Sequence, residues 1–220
     1  MEQDKQQDTE QMETQKLERK PDETGGIHVQ GHIKIFDPES GEVFINKRNA
    51  IHYENMSISL AESLGNNGSG FIYQMAFGNG GTSVDPTGII TYLTPNSTGT
   101  NASLYNQTYT KIVDDRSANN TDPFRNKIET RHVSGTNYTD VLVTCLLDYG
   151  EPEGQDAFDN ASNTESAFIF DELGLRAYSL DGTGRLLTHV IFHPVQKSLN
   201  RLIQIDYTVR VQSLTGFSED

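Results

Sequence analysis

Residues 167–210 read Ala-Phe-Ile-Phe170-Asp171-Glu172-Leu173-Gly174-Leu175, then, past Asp181-Gly182-Thr183-Gly184, Arg185-Leu-Leu-Thr-His189-Val-Ile-Phe-His193-Pro194-Val195, and finally Leu202-Ile-Gln-Ile-Asp-Tyr-Thr-Val-Arg210. Three runs rich in β-branched and aromatic residues, punctuated by Gly, Asp and Pro, predict a compact antiparallel meander. Gly174 predicts a bulge or a close backbone approach where a strand bends. Pro194 predicts the end of the middle strand, because proline cannot donate to a ladder.

Upstream, Ile27, Val29, Ile33 and Ile35 recur with period two, and 37–41 (Asp-Pro-Glu-Ser-Gly) reads as a turn into a return strand at 42–45. The period then changes. Tyr53, Met56, Leu60, Ala61 and Leu64 share one helical face, Asn49 is a plausible N-cap, and 65–68 (Gly-Asn-Asn-Gly) is a stop, so one amphipathic helix is predicted over 49–64. Phe71 to Phe77 reads as a strand. Residues 82–122, rich in Asn, Thr, Ser, Gly and Pro, read as a long surface loop, and loops of that length usually contact something. Strand signals return at 126–133 and 138–149, and a polar connector at 150–164 leads into the closing meander.

The fold class that follows is mainly β: an antiparallel β-sandwich with one amphipathic helix and a long polar loop excursion, preceded by an extended N-terminal arm. The domain reading is an acidic polar arm at 1–25, a single β-rich domain at 26–213, and a tail at 214–220. The first 24 residues are nearly all Glu, Gln, Asp, Lys and Thr and cannot bury enough apolar surface to offset their ordering entropy. They read either as a solubilising tail or as an assembly arm that orders against a neighbour, with Gln6, Met12 and Leu17 able to support a short induced helix.

A net charge of −14, with lysines and arginines scattered singly, argues against nucleic acid as a partner. No apolar run is long enough to span a bilayer, so no membrane partner is expected, and the N-terminus has no signal-peptide core. The single cysteine, Cys145, sits in an apolar strand and reads as a small buried hydrophobe, in keeping with a reducing cytoplasm.

Residues that carry chemistry are few. Gly78-Asn79-Gly80-Gly81 lacks the Lys-Ser/Thr of a phosphate loop and reads as a tight turn needing positive φ. His189 and His193, with Asp171 or Glu172 on a neighbouring strand, suggest a metal site, but four residues on a strand separate the rings by about 13 Å at roughly 3.3 Å per residue. Cross-strand packing and hydrogen bonding is the expected role. Asp114-Asp115, Asp156 and Asp159 read as solvated loop acids rather than a calcium site. Asn96, Asn101, Asn106 and Asn137 head Asn-x-Ser/Thr triplets that read as loop polarity. No nucleophile elbow or zinc-protease motif occurs, so no enzyme activity and no catalytic, cofactor-binding or metal-binding residue is expected.

Taken in order, Phe77-Gly78-Asn79-Gly80-Gly81-Thr82, Phe170-Asp171-Glu172-Leu173-Gly174-Leu175, Gly184-Arg185-Leu186-Leu187, Phe192-His193-Pro194-Val195 with Lys197, and Ile203-Gln204-Ile205-Asp206-Tyr207-Thr208-Val209 resemble a module of tailed-bacteriophage virion proteins. That module occurs in the attachment domains of tail fibres and in collar or baseplate components. The similarity covers roughly residues 49–212. It implies a non-enzymatic neck, collar or fibre-attachment subunit located in the virion and assembled in the host cytoplasm. The expected partners are other virion proteins (neck, tail, fibre or capsid subunits), with cyclic homo-oligomers. A fibre continues into a shaft and a tip, whereas this sequence stops about ten residues after its last strand, which favours an adaptor. The alternatives are a capsid head decoration protein or, from a different class, a carbohydrate-binding module using Tyr73, Tyr92, Tyr105 and Tyr109.

Overall fold

Alternation of apolar and polar residues in β1 (Gly26–Phe36) buries Val29, Ile33 and Ile35 on one face, as expected for a strand with one solvated side. The computed structural model describes residues 25–153, 169–180 and 184–214. The expected arm at 1–24, the connector acids Asp156 and Asp159, and the expected turn at 181–183 fall outside the described residues.

β1 turns back through Asp37, whose Oδ1 accepts the Glu39 N–H at 2.8 Å, and through Gly41 at φ +74°. It meets β2 (Val43–Ile51), the helix α1 (Tyr53–Leu64), and β3 (Ile72–Gly78). Next come the short β4 (Thr82–Val84) and β5 (Ile90–Tyr92), then β6 (Gln107–Ile112), β7 (Lys127–His132) and β8 (Tyr138–Leu147). β9 (Ile169–Ala177), β10 (Thr188–Gln196) and β11 (Ile203–Leu214) close the chain. Nine strands form one antiparallel sheet in the order β6-β3-β9-β10-β2-β1-β11-β8-β7, while β4 and β5 pair as a separate hairpin.

The fold is mainly β, and its sandwich character comes from curling a single sheet. Only two residue pairs, Thr188↔Ile51 and His189↔Ala50, join β10 to β2. They form the corner between a five-stranded half and a four-stranded half. Ile33, Ile35, Cys145, Ile205 and Tyr207 from the first half belong to the same buried cluster as Met75, Phe77, Leu173, Leu175 and Phe192 from the second, and α1 adds Met56. Burial pushes the Cys145 thiol up to about 12, which suits a packed hydrophobe rather than a nucleophile.

Several expectations need correction. The closing segment is not a meander: β9 pairs with β10, but β2 and β1 lie between β10 and β11. The pairing of β1 with β11 runs unbroken from Gly26↔Leu214 to Phe36↔Gln204 and places Ile33 opposite Tyr207 and Ile35 opposite Ile205. That long matched apolar alternation outcompetes the local connection. Pro194 does not end β10; the ladder with β9 skips between Ile191 and Val195, so the missing N–H falls in an irregularity. Gly174 answers to close approach, because a Cβ there would run into the Thr188 carbonyl oxygen.

The helix begins later than expected. Asn49 stays in β2, paired with Gly31, and its Nδ2 donates to the Tyr207 hydroxyl. His52 is the cap instead: its Nδ1 accepts the Asn55 N–H at 3.1 Å. Tyr53 and Leu64 are exposed, and α1 buries Asn55, Met56 and Ser59. Asn55 Nδ2 donates to the Leu186 carbonyl at 2.9 Å, so the docked face is half polar and escapes a purely apolar pattern.

The 82–122 segment is not one long loop. It carries the β4–β5 hairpin and β6, an edge strand whose Tyr109 packs against Phe77. Asp114 within it is buried rather than solvated, accepting from Arg116, and Asn120 bridges the Asp114 and Asn126 carbonyls.

Candidate functional site

Asp171 and Glu172 sit side by side in β9, fully enclosed although both are acids. Glu172 Oε1 accepts the N–H groups of Gly80 (3.1 Å) and Asn106 (2.8 Å), and its Oε2 accepts those of Tyr105 (2.9 Å) and His189 Nε2 (2.9 Å). Asp171 Oδ1 accepts the Gly81 N–H (2.9 Å), while Oδ2 accepts both the N–H (2.9 Å) and the hydroxyl (2.5 Å) of Thr82. The two carboxylates therefore grip both ends of residues 79–106. Four donors on one carboxylate fill its acceptor capacity.

Burial pushes the Glu172 carboxyl up, but the bonds from His189 and from the Asn106, Tyr105 and Gly80 backbones outweigh it and hold the group below the usual range. His189 Nδ1 accepts the Asn96 N–H at 2.8 Å, so its hydrogen is assigned to Nε2, facing Glu172. His52 works the same way from α1: Nδ1 is taken by Asn55, leaving Nε2 to donate to the Gly99 carbonyl at 2.9 Å. Arg176 adds a fifth clamp, with Nη2 on Ser103 Oγ at 2.7 Å.

The glycines before Thr82 make room for this grip. None of Gly78, Gly80 and Gly81 has positive φ, contrary to expectation; the positive-φ glycines include Gly41, Gly88 and Gly99. A Cβ on Gly78 would lie 2.5 Å from Glu172 Oε1, and one on Gly80 would lie 2.7 Å from the Asn106 nitrogen. Sequence alone placed Gly78–Gly81 and Asp171–Glu172 in separate motifs; the fold brings them into contact.

What the clasp holds out is the β4–β5 hairpin. Leu93 N–H closes it onto the Gly81 carbonyl, and Asp85 Oδ1 accepts from the Thr87 hydroxyl and from the Thr87 and Ile89 N–H groups. The Thr87 hydroxyl and the Ile89 N–H keep the Asp85 carboxyl below the usual range. On this ordered hairpin Val84 and Ile89 are each 62% exposed, and Tyr92 and Leu93 are also exposed. These apolar side chains are held outward on a backbone fixed by hydrogen bonds.

The other residues singled out in the sequence fall elsewhere. His189 is enclosed while His193 is exposed and meets the Tyr92 hydroxyl, because the ladder shifts between Ile191 and Val195. The described residues hold no group of three or more His, Cys, Asp or Glu side chains placed to bind a metal. Of the four tyrosines, Tyr73 packs on Tyr178 and Tyr109 on Phe77, and only Tyr92 and Tyr105 are exposed. Asn96, Asn106 and Asn137 each donate a side-chain hydrogen bond, to Ser103, Asn79 and Ser213. Lys197 is buried, donating to the Ser198 carbonyl at 2.8 Å, and burial lowers its ammonium to about 8. Sequence reasoning missed the anchors His52, Asn55 and Arg176, which carry no periodic signal, and read Asn96 only as loop polarity.

No helix among the described residues is long and apolar enough to cross a membrane. Compared with known proteins, the chain matches no family model, no curated protein and no solved structure.

Proposed function

We propose that this chain is a non-enzymatic structural subunit of a tailed-phage virion, in the neck, collar or fibre-attachment region, docking through the clasped hairpin onto a symmetric ring of neighbours. The observation that carries the docking role is the pairing of exposed Val84, Ile89, Tyr92 and Leu93 with a backbone fixed from beneath by Asp171 and Glu172. A surface ordered in advance loses little entropy on association. Glu172 and His189, the nearest approach to an acid–base pair, spend their hydrogen bonds on the protein's own backbone and on each other. The virion assignment rests on the resemblance of the motifs at 77–82 and 170–175, and those two motifs are the ones joined by the clasp.

Quantitative mass spectrometry of purified particles tests it. A copy number near that of the portal, roughly six to twelve for a ring on the particle axis, is the expected result. A number near that of the major capsid protein would replace the neck by head decoration, and absence from particles would overturn the structural role. Val84→Ser with Ile89→Ser should leave folding intact and reduce incorporation.

A further inference from the structure

Between α1 and the sheet lies an apolar groove of about 210 Å³. Its floor includes the buried Met56 and Leu187, and its walls carry Leu60, Ile72, Ile128 and Val211, which stay only half-buried although they are apolar. Among the described residues Arg116 is the one charged member of the lining; its side chain is 73% exposed, and its Nε donates to Asp114 at 3.1 Å. Small-molecule sites run to about 300–1,000 Å³. A smaller, apolar recess suits the side chains of a protein.

The β4–β5 hairpin has the complementary character. Over residues 82–93 it exposes Val84, Ile89, Tyr92 and Leu93, and its one charged residue is the exposed Asp85. Apolar groups with a single anion match apolar groups with a single cation. Within one chain the two cannot meet. The groove lies at the Ile72 end of β3 and the hairpin leaves from its Gly78 end, about 20 Å away at roughly 3.3 Å per residue. The Tyr92 hydroxyl on His193 Nδ1 at 3.3 Å also ties the hairpin to β10. The N-terminal 24 residues fit the groove poorly, since they offer Met1, Met12 and Leu17 among mostly charged and amide side chains and would have to be ordered first. The hairpin is already ordered by its hydrogen bonds.

We infer that the hairpin of one copy docks in the α1 groove of the next, Val84 and Ile89 covering Leu60 and Val211 while Asp85 meets Arg116 at the rim. Donor and acceptor patches differ, so the contact is head-to-tail, and its repetition closes a ring when the rotation allows. This rests on the docking role proposed for the hairpin and names a second copy of this chain as the partner.

Cross-linking tests the occupant. A photo-cross-linker replaces Ser63, an exposed residue of the groove lining, in the full chain, and light and heavy isotope-labelled copies are mixed before irradiation. Mixed-isotope links to residues 82–93 are expected. Links to 1–24, or links confined to one copy, would overturn the proposal. Sedimentation should show self-association at about 100 μM or below, and a chain that stays monomeric there would overturn it too. Val84→Ser with Ile89→Ser should lose the association, and Leu60→Gln, or Arg116→Glu if Leu60→Gln melts early, should weaken it by about tenfold. The hairpin variant keeps its groove and the groove variant keeps its hairpin, so mixing the two should restore a one-to-one pair. No restoration would contradict a head-to-tail contact. Particle incorporation separates this inference from the docking role. Loss in the hairpin variant but not in the groove variant refutes the groove alone, whereas normal incorporation of the hairpin variant refutes the docking role itself.

Discussion

The two halves of the curled sheet are held in different ways. In the β2-β1-β11-β8-β7 half, the β1–β11, β11–β8 and β8–β7 ladders run without a break and only β1–β2 slips, at Ile35/Phe36, and alternating apolar side chains do the rest. In the β6-β3-β9-β10 half the ladders slip at Tyr73, at Phe77/Gly78 and between Ile191 and Val195. There, the buried Asp171, Glu172 and His189 and the half-buried Arg176 reach out of the sheet to fasten loops, helped by His52 at the start of α1. The first half is a scaffold, and the second uses buried charge to position a surface. Burying acids that way is costly unless every lone pair is used, and on Glu172 all are.

The sharpest way to break the difference is Glu172→Ala. It strands three backbone N–H groups and His189, and should destabilise the fold by about 3–5 kcal/mol in urea unfolding. The milder Glu172→Gln should expose the 79–106 amides selectively while β1 and β11 keep their protection. In the scaffold half, Ile205→Ala should cost about 2–4 kcal/mol through its cavity and lower protection throughout, without singling out the hairpin.

Acid should act on the polar half first. Because the folded Glu172 carboxyl lies below its unfolded value of 4.5, its stabilisation is complete above that value. It fades as pH falls through the lower folded one. Hairpin protection compared at pH 6 and pH 3 should drop more than β11 protection, and Glu172→Gln should flatten the difference. The smallest effect concerns Lys197. Its folded value near 8 lies below the ordinary 10.5, so burial of the charge costs stability below pH 8 and that cost disappears as pH rises to 10.5. Lys197→Met should remove this alkaline rise in thermal-melt profiles.

The scaffold half was readable because period-two burial is written directly into Val29 to Ile35 and Ile203 to Val209, although Ile27 at the strand's start is exposed, as was Cys145 as a packed hydrophobe. Strand order was not, since Ile33 and Tyr207 meet across more than 170 residues and nothing local marks the pair. The helix start was misplaced because Asn49 is the commoner cap by type, yet β2 needs it for pairing, and His52 caps instead. The candidate site was visible only in pieces. Gly78–Gly81 and Asp171–Glu172 both stood out, but as turn and strand; that the glycines give space to a carboxylate is a tertiary fact. Asn96, Asn55 and Arg176 look like ordinary polar residues until the fold buries Asn55 and hydrogen-bonds the half-buried Asn96 and Arg176 to loop partners.

Amide hydrogen exchange on the wild type and Glu172→Gln, read at Gly80, Tyr105 and Asn106, bears most directly on the claim that a buried carboxylate holds the β4–β5 hairpin in place. The clasp predicts slow exchange at all three in the wild type and a large, local acceleration in the variant, with Ile33 and Ile205 unchanged. Fast exchange in the wild type, or equal protection in both proteins, would contradict it.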